Sequence, residues 1–281
     1  MSSPVSDLGR ARDWSGEVVA VEALDGGMVE ITARLPHLAA TARPGEFAQL
    51  RAWGGVDPLL RRPFSVAWTA GELCSFVLEA VGAGTRLLVA LRPGDPLQAL
   101  GPLGHGFPLD PVPARAVIVS GGLGCAPFPL LVRDLRRGGC ADVIVLSGAA
   151  TASRLYPAER FRRGDDAVRV VETTDDGSRG RRGLVTELVA DACDETAAVY
   201  ACGPNPMLAA LAQTLQRLAH PPRRADVSLE APMGCGFGTC LGCALPAAGG
   251  AWFLCCRQGP VREISEVDWR GLLALPPAHV A

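Results

Sequence analysis

The chain has 281 residues, 48% hydrophobic and 20% charged, with a net charge of −2, enough for two domains and a small appendage. It has no basic stretch with interleaved aromatics, which argues against a nucleic-acid partner. All 27 basic residues are arginine, which removes a Walker lysine and any Schiff-base lysine. No apolar run approaches the roughly 20 residues of a membrane helix, so no membrane span is expected. Met1 to Asp7 carry no apolar core of a signal peptide, and ten cysteines in that setting point to a reducing compartment, the cytoplasm. Cys74, Cys140 and Cys193 then read as small buried hydrophobes.

From Trp14 to about Leu109 short strands alternate with Gly and Pro turns. Gly16 to Glu22, Met28 to Arg34 and Leu73 to Glu79 have strand length and pattern, with turns at Asp25-Gly-Gly27, Arg43-Pro-Gly45 and Arg92-Pro-Gly-Asp95. Strands at such spacing predict a closed antiparallel β-barrel, interrupted by one helical stretch from Thr85 to Leu91. Arg61-Arg62-Pro-Phe-Ser65 offers a charged fork and a hydroxyl from an extended segment. Gly82-Ala-Gly-Thr85 opens the helix with backbone N–H groups and a hydroxyl suited to an anion. Either could be an ordinary surface feature, but two phosphate-compatible elements in one barrel suggest a dinucleotide flavin.

The pattern changes at Arg115. Ala116 to Ser120 is a buried strand that hands over through Gly121-Gly-Leu-Gly124 to a helix from Ala126 to Arg137. Strands at Asp142 to Ser147, Ala167 to Val171 and Ala197 to Ala201 alternate with helical text at Leu184 to Ala192 and Pro206 to Leu218, which predicts an α/β domain with a parallel sheet. Gly121, Gly122 and Gly124 occupy the first βα turn, where such sheets bind a pyrophosphate, although a tight turn alone would look the same. Cys202-Gly-Pro-Asn-Pro-Met207 follows a later strand, so both loops can line one crevice; Cys202 is the candidate neighbour of a reactive ring, or simply a buried cysteine. The runs Arg160, Arg162, Arg163 and Arg179, Arg181, Arg182 read as solvated loops or local anion contacts.

After His220-Pro-Pro222 comes a cysteine-rich tail, Met233-Gly-Cys-Gly-Phe-Gly-Thr-Cys-Leu-Gly-Cys243, with Cys255 and Cys256 beyond it. Cys235, Cys240 and Cys243 have the C-x4-C-x2-C spacing of a plant-type [2Fe–2S] site. Gly234, Gly236, Gly238 and Gly242 suit a backbone wrapped closely around a cluster. A structural zinc site is the alternative, but a second CxxC knuckle is missing. Spacing does not choose between Cys255 and Cys256 as fourth ligand.

These segments, with Leu100-Gly-Pro-Leu-Gly104, Thr174-Asp-Asp-Gly-Ser178, Ser228-Leu-Glu230 and Cys256-Arg-Gln-Gly-Pro-Val261, recur in order in a known family. The chain resembles the ferredoxin-reductase superfamily and, within it, the electron-transfer subunits of NAD-dependent (class 1B) dihydroorotate dehydrogenases, from about Trp14 to Asp268. The resemblance implies a flavin barrel over residues 10–112, a nicotinamide domain over 113–222 and a [2Fe–2S] subdomain over 223–281. It implies FAD held by Arg62, Pro63, Phe64 and Ser65, by Val77, Leu78 and Glu79, and by Gly84 and Thr85. NAD is implied at Gly121, Gly122, Gly124 and Gly203 with Cys202 near the nicotinamide, and Cys256 joins Cys235, Cys240 and Cys243 as cluster ligand. Leu78-Glu79 departs from the Tyr-Arg type pair usual there. The implied partner is an FMN-containing catalytic subunit in a heterotetramer with two copies of each chain. Electrons from dihydroorotate would then pass through the cluster and FAD to NAD+ in pyrimidine biosynthesis. The alternatives are the small subunit of another NAD(P)H-linked complex, of ferredoxin:NADP, sulfide or glutamate-synthase type, and a zinc-bearing, non-catalytic binding module.

Overall fold

Alternating apolar residues build the first layer of a computed structural model that describes residues 9–276. Strands β1 (Arg12–Ala23), β2 (Met28–Arg34), β3 (Phe47–Arg51), β4 (Arg62–Ser65), β5 (Trp68–Ala70), β6 (Leu73–Glu79) and β7 (Pro96–Leu103) pair antiparallel in the order β4-β3-β7-β1-β2-β6-β5. One face buries Val18, Ile31, Leu50, Phe76, Leu78 and Leu97, all fully enclosed. Helix α1 (Pro36–Thr41) adds Leu38 to that core, and α2 (Ala83–Val89) adds Leu88. The sequence pattern predicts a closed barrel, but no ladder joins the edge strands β4 and β5. Instead the intervening Val66 and Ala67 donate to the Glu46 and Ser75 carbonyls at 3.0 and 2.8 Å, stitching the seam. Pro63, which has no N–H to extend a ladder, sits on the edge strand, as prolines in sheets do.

The second layer is the parallel sheet. Its strands are β8 (Arg115–Gly121), β9 (Asp142–Ala149), β10 (Arg169–Thr174), β11 (Arg181–Arg182), β12 (Ala197–Cys202) and β13 (Arg224–Ser228). Continuous apolar runs in β8 and β9 are explained by cover on both faces. Ala116 and Ile118 pack toward α3 (Phe128–Arg137), while Val117 and Val119 pack toward α6 (Asn205–Gln216). Between these helices lie α4 (Ala158–Arg162) and α5 (Val189–Ala192). The single helix expected over Leu184 to Ala192 is a 3-10 turn, Val185–Leu188, followed by the one-turn α5.

The tail departs from a simple appendage. After β13 the chain runs through the cysteine loop, the hairpin β14 (Ala244–Pro246) and β15 (Trp252–Leu254), and the short α7 (Cys255–Gln258). Strand β16 (Val261–Glu263) then returns antiparallel to β13, so the sheet order is β11-β10-β9-β8-β12-β13-β16; α8 (Trp269–Leu273) follows. The cysteine segment is thus an excursion from the edge of the nicotinamide-type sheet. Residues 224–228, grouped by sequence with the tail, belong structurally to that sheet.

Three arginines join the two sheets. The carboxylate of Glu30, buried on β2, accepts from Arg160 Nη1 and Arg163 Nη2 at 2.8 Å each, and Arg160 also bonds Glu22. Arg154 donates to both oxygens of Glu79 at 3.0 Å. The run Arg160 to Arg163 is therefore partly a carboxylate clamp. Removing a buried anion strands its cations, so Glu30→Ala should cost about 3 kcal/mol in urea unfolding. A loss below about 1 kcal/mol would show the clamp to behave like a surface pair.

Candidate functional site

The cysteine loop brings its thiols together in pairs. Cys240 N–H donates to Cys235 Sγ at 3.5 Å. Cys243 Sγ lies 3.2 Å from Cys256 Sγ and accepts from the Cys256 N–H at 3.4 Å. Among the described residues no three Cys, His or carboxylate side chains converge closely enough to hold one ion. Two thiol pairs suit a core with two metal atoms better than a single tetrahedral zinc.

The surroundings favour thiolate. Burial pushes the Cys235 thiol up, but N–H donors of Cys240, Phe237 and Thr239 outweigh it and lower it to about 7. Cys243 is lowered to about 6, chiefly because Cys256 donates to it, and Cys256 is raised because it keeps the proton of that pair. The loop is tightly wound, with Gly236 at φ 81° and Gly238 at φ 90°, and even the exposed Leu241 takes φ 60°. A left-handed non-glycine residue is uncommon, so the turn here is closely determined by its surroundings.

The neighbouring Cys255 turns the other way, its Sγ donating to the Leu229 carbonyl at 3.5 Å in the core. It does so from the first turn of α7, where successive side chains point in different directions.

On the barrel side, the Arg62 guanidinium stacks 5.9 Å from the Trp53 ring centroid and lies against the start of α2, where a Cβ on Gly84 would come within 3.0 Å of its Nε. Thr85 does not offer a free hydroxyl. Its Oγ1 accepts from Gly82 N–H at 2.8 Å and donates to the Gly82 carbonyl at 3.0 Å, so it shapes the turn that Gly84 presents. Val77 faces the nicotinamide-type layer with Met28 and Phe107, whereas Leu78 points into the barrel core, leaving only its backbone for a cofactor. Glu79, where the resemblance implies a cation, carries the Arg154 guanidinium from the other domain. Pro63, Phe64 and Ser65 are half-buried along β4.

The crevice of the parallel sheet lies between β8 and β12, where the strand order reverses. Its two loops touch: a Cβ on Gly124 would fall 2.2 Å from the Cys202 carbonyl oxygen, and one on Gly203 would be 3.2 Å from Gly121 Cα. Gly122 takes φ 54° in this turn. The half-buried Cys202 thiol is pushed up to about 12 by burial and then by the charge of Glu230, so it is a neutral thiol. That suits a packing or hydrogen-bonding neighbour, not a thiolate nucleophile. Asn205, within the Cys202 to Met207 segment, opens α6 beside this crevice with its Oδ1 buried and unpaired.

Two family models match the chain: "Iron-sulfur cluster binding domain of dihydroorotate dehydrogenase B" over residues 230–268 and "Oxidoreductase NAD-binding domain" over 118–213. The chain is 39% identical over 231 residues to the dihydroorotate dehydrogenase B (NAD(+)) electron transfer subunit of Bacillus caldolyticus, covering 80% of this chain and 86% of that one. The corresponding subunit of Geobacillus thermodenitrificans is 38% identical over 244 residues, 85% and 91% covered. Among solved structures, the NADH-dependent reduced ferredoxin-NADP oxidoreductase of flavin-based electron bifurcation superposes with TM-score 0.78 at 26% identity, covering 92% and 91%. The ferredoxin reductase of carbazole 1,9a-dioxygenase, with TM-score 0.64 at 23% identity over 75% and 67%, shares the fold.

The geometry separates the two adjacent cysteines experimentally. Cys256→Ser should lose bound iron, and Cys255→Ser should keep it; the reverse ranking in an iron assay would overturn the ligand set. Arg62→Ala should release FAD on gel filtration, and full retention would remove that arginine from the site.

Proposed function

The chain belongs to the family of dihydroorotate dehydrogenase B (NAD(+)) electron transfer subunits, and from that premise we propose that it carries electrons from a catalytic partner's FMN, reduced by dihydroorotate, to NAD+. The observation that carries this reading is one chain holding paired thiols, a flavin-type barrel and a nicotinamide-type crevice around a single junction.

When bound, a [2Fe–2S] centre supplies one-electron transfer and FAD both one- and two-electron transfer, the combination needed to feed hydride chemistry at NAD. This chain's own residues supply positions and electrostatics. Cys235 with Cys240, and Cys243 with Cys256, would each give two thiolates to one iron, with the N–H groups of Cys240 and Cys256 directed at sulfur. Arg62 and the turn Gly82–Thr85 would hold the flavin phosphates, and Val77 and Ser65 would line its seat. Gly121, Gly122, Gly124 and Gly203 leave the crevice open to a dinucleotide, with Cys202 presenting a neutral S–H beside it.

Partner docking is assigned to the cysteine loop, where Phe237, Leu241 and Trp252 are exposed beside the cluster ligands. An apolar patch of that kind next to a redox centre fits a protein partner. We place two copies of each chain in the complex and the complex in the cytoplasm, where ten free thiols suit the redox poise. No helix among the described residues is long and apolar enough to cross a membrane. A second reading, the small subunit of a ferredoxin:NADP-type complex, is favoured only by the TM-score of 0.78, at lower identity than the dihydroorotate dehydrogenase relatives.

Co-purification with the FMN-bearing catalytic subunit, followed by sizing and a dihydroorotate:NAD+ assay, tests the proposal. Activity in the pair and in neither chain alone is expected; a pair that forms but turns over only with ferredoxin would favour the second reading. In the complex, Cys240→Ser should abolish transfer from the partner, yet NADH-driven dye reduction by the isolated chain should stay intact. Loss of both would make the cluster mainly structural.

A further inference from the structure

Gln49 is a buried polar residue without a purpose in the fold. It lies in the middle of β3 with no solvent exposure, and neither Nε2 nor Oε1 has a hydrogen-bond partner. Leaving such a group unpaired costs about 1–3 kcal/mol, and an apolar residue of the same shape would avoid the cost. A native orphan of this kind calls for an explanation, such as a group that the amide binds.

The strand sets its direction. Ala48 and Leu50 point into the barrel core, so alternation sends Phe47 and Gln49 to the opposite face. There Phe47 packs in the same apolar cluster as Cys243, Cys255 and Cys256. Gln49 reaches the cysteine loop itself. A Cβ on Gly236, the residue after Cys235, would stand 2.7 Å from both Cγ and Nε2 of Gln49. Gly236 also has φ 81°, so the loop passes over the amide with no room for a side chain. On the adjoining strand β4, Gln49 is registered with Pro63 and Phe47 with Ser65, two residues of the flavin motif. The amide therefore stands at the seam between the cysteine loop and the flavin motif, and its donor is the polar atom nearest the loop.

We propose that Gln49 is a cluster-contacting residue, its Nε2–H donating to a sulfur on the Cys235 side of the [2Fe–2S] site. The inference rests on the electron-transfer reading. An N–H dipole aimed at sulfur stabilises the additional negative charge of the reduced state, and such hydrogen bonds are among the determinants of cluster potential. Gln49 would thus help to set the step between cluster and flavin from the flavin domain, through a residue that is neither thiolate ligand nor part of the flavin motif.

The test is Gln49→Met, which keeps the volume and removes both polar atoms, in the cluster-loaded and cluster-free protein. An EPR-monitored redox titration should find the cluster potential lowered by about 59 mV, a tenfold change in a one-electron equilibrium. Thermal unfolding of the cluster-free protein should be unchanged or shifted upward, because two unpaired buried atoms are gone. The flavin potential, read in the same titration by absorbance, should stay in place. Failure of the variant to retain the cluster, with cluster-free stability intact, would also support the contact. An unchanged cluster potential, or a shift confined to the flavin, overturns it, as does a destabilised cluster-free protein with normal potential, which would mark a structural role. Wild type that binds no cluster overturns the underlying reading together with this inference. A wild-type cluster indifferent to Gln49→Met overturns this inference alone.

Discussion

The pairing of β16 with β13 is the constraint on which the site depends. Three registered residues, Val261 to Glu263 against Asp226 to Ser228, bring the chain back to the sheet it left before the cysteine loop. The segment just before β16 is held on a second side, where His105 at the end of the flavin layer donates to the Gly259 carbonyl at 2.5 Å. Pro260 in turn accepts from Leu229 N–H at 2.9 Å. Cys256 lies three residues before this junction and Cys255 four, so their opposite directions are fixed by a strap anchored in both domains. Without that return, the thiols of Cys243 and Cys256 would have no reason to meet across 13 residues of sequence.

The same junction explains why three elements of different chemistry can work as one. The strand reversal between β8 and β12 opens the crevice on the sheet, while the open seam of the barrel leaves β4 as an edge beside β3. Phe47 on β3 packs in the core that also contains Cys243 and Cys256, so the barrel's outer face, not its interior, meets the tail. Arginine clamps on Glu30 and Glu79 add contacts between the layers. The Glu79 clamp also gives the departure from the family's usual pair a physical setting. The site keeps a guanidinium, but on Arg154 of the opposite domain.

Much of this was legible in the chain. Strands β2 and β6 have the bounds their alternation predicts, because both are internal and one face is fully buried. Parallel strands showed as continuous apolar runs because both of their faces are covered. Strand β7 was hidden by Pro96, Gly101 and Pro102, and β16 by its length of three residues. Both are defined by long-range pairing, which local pattern does not carry. The cysteine spacing pointed to the metal chemistry, but the pairing of thiols needed the tertiary return. Gln49 was missed because a single amide gives no sequence signal; only its burial without a partner sets it apart.

In the proposed function, one chain connects nicotinamide to an iron–sulfur centre through a flavin. Stopped-flow mixing of NADH with the purified, cofactor-loaded protein measures that connection most directly. Bleaching of the flavin first and of the cluster afterwards is the expected result. Cluster reduction without a preceding flavin phase, or a flavin that NADH does not reduce, would contradict it.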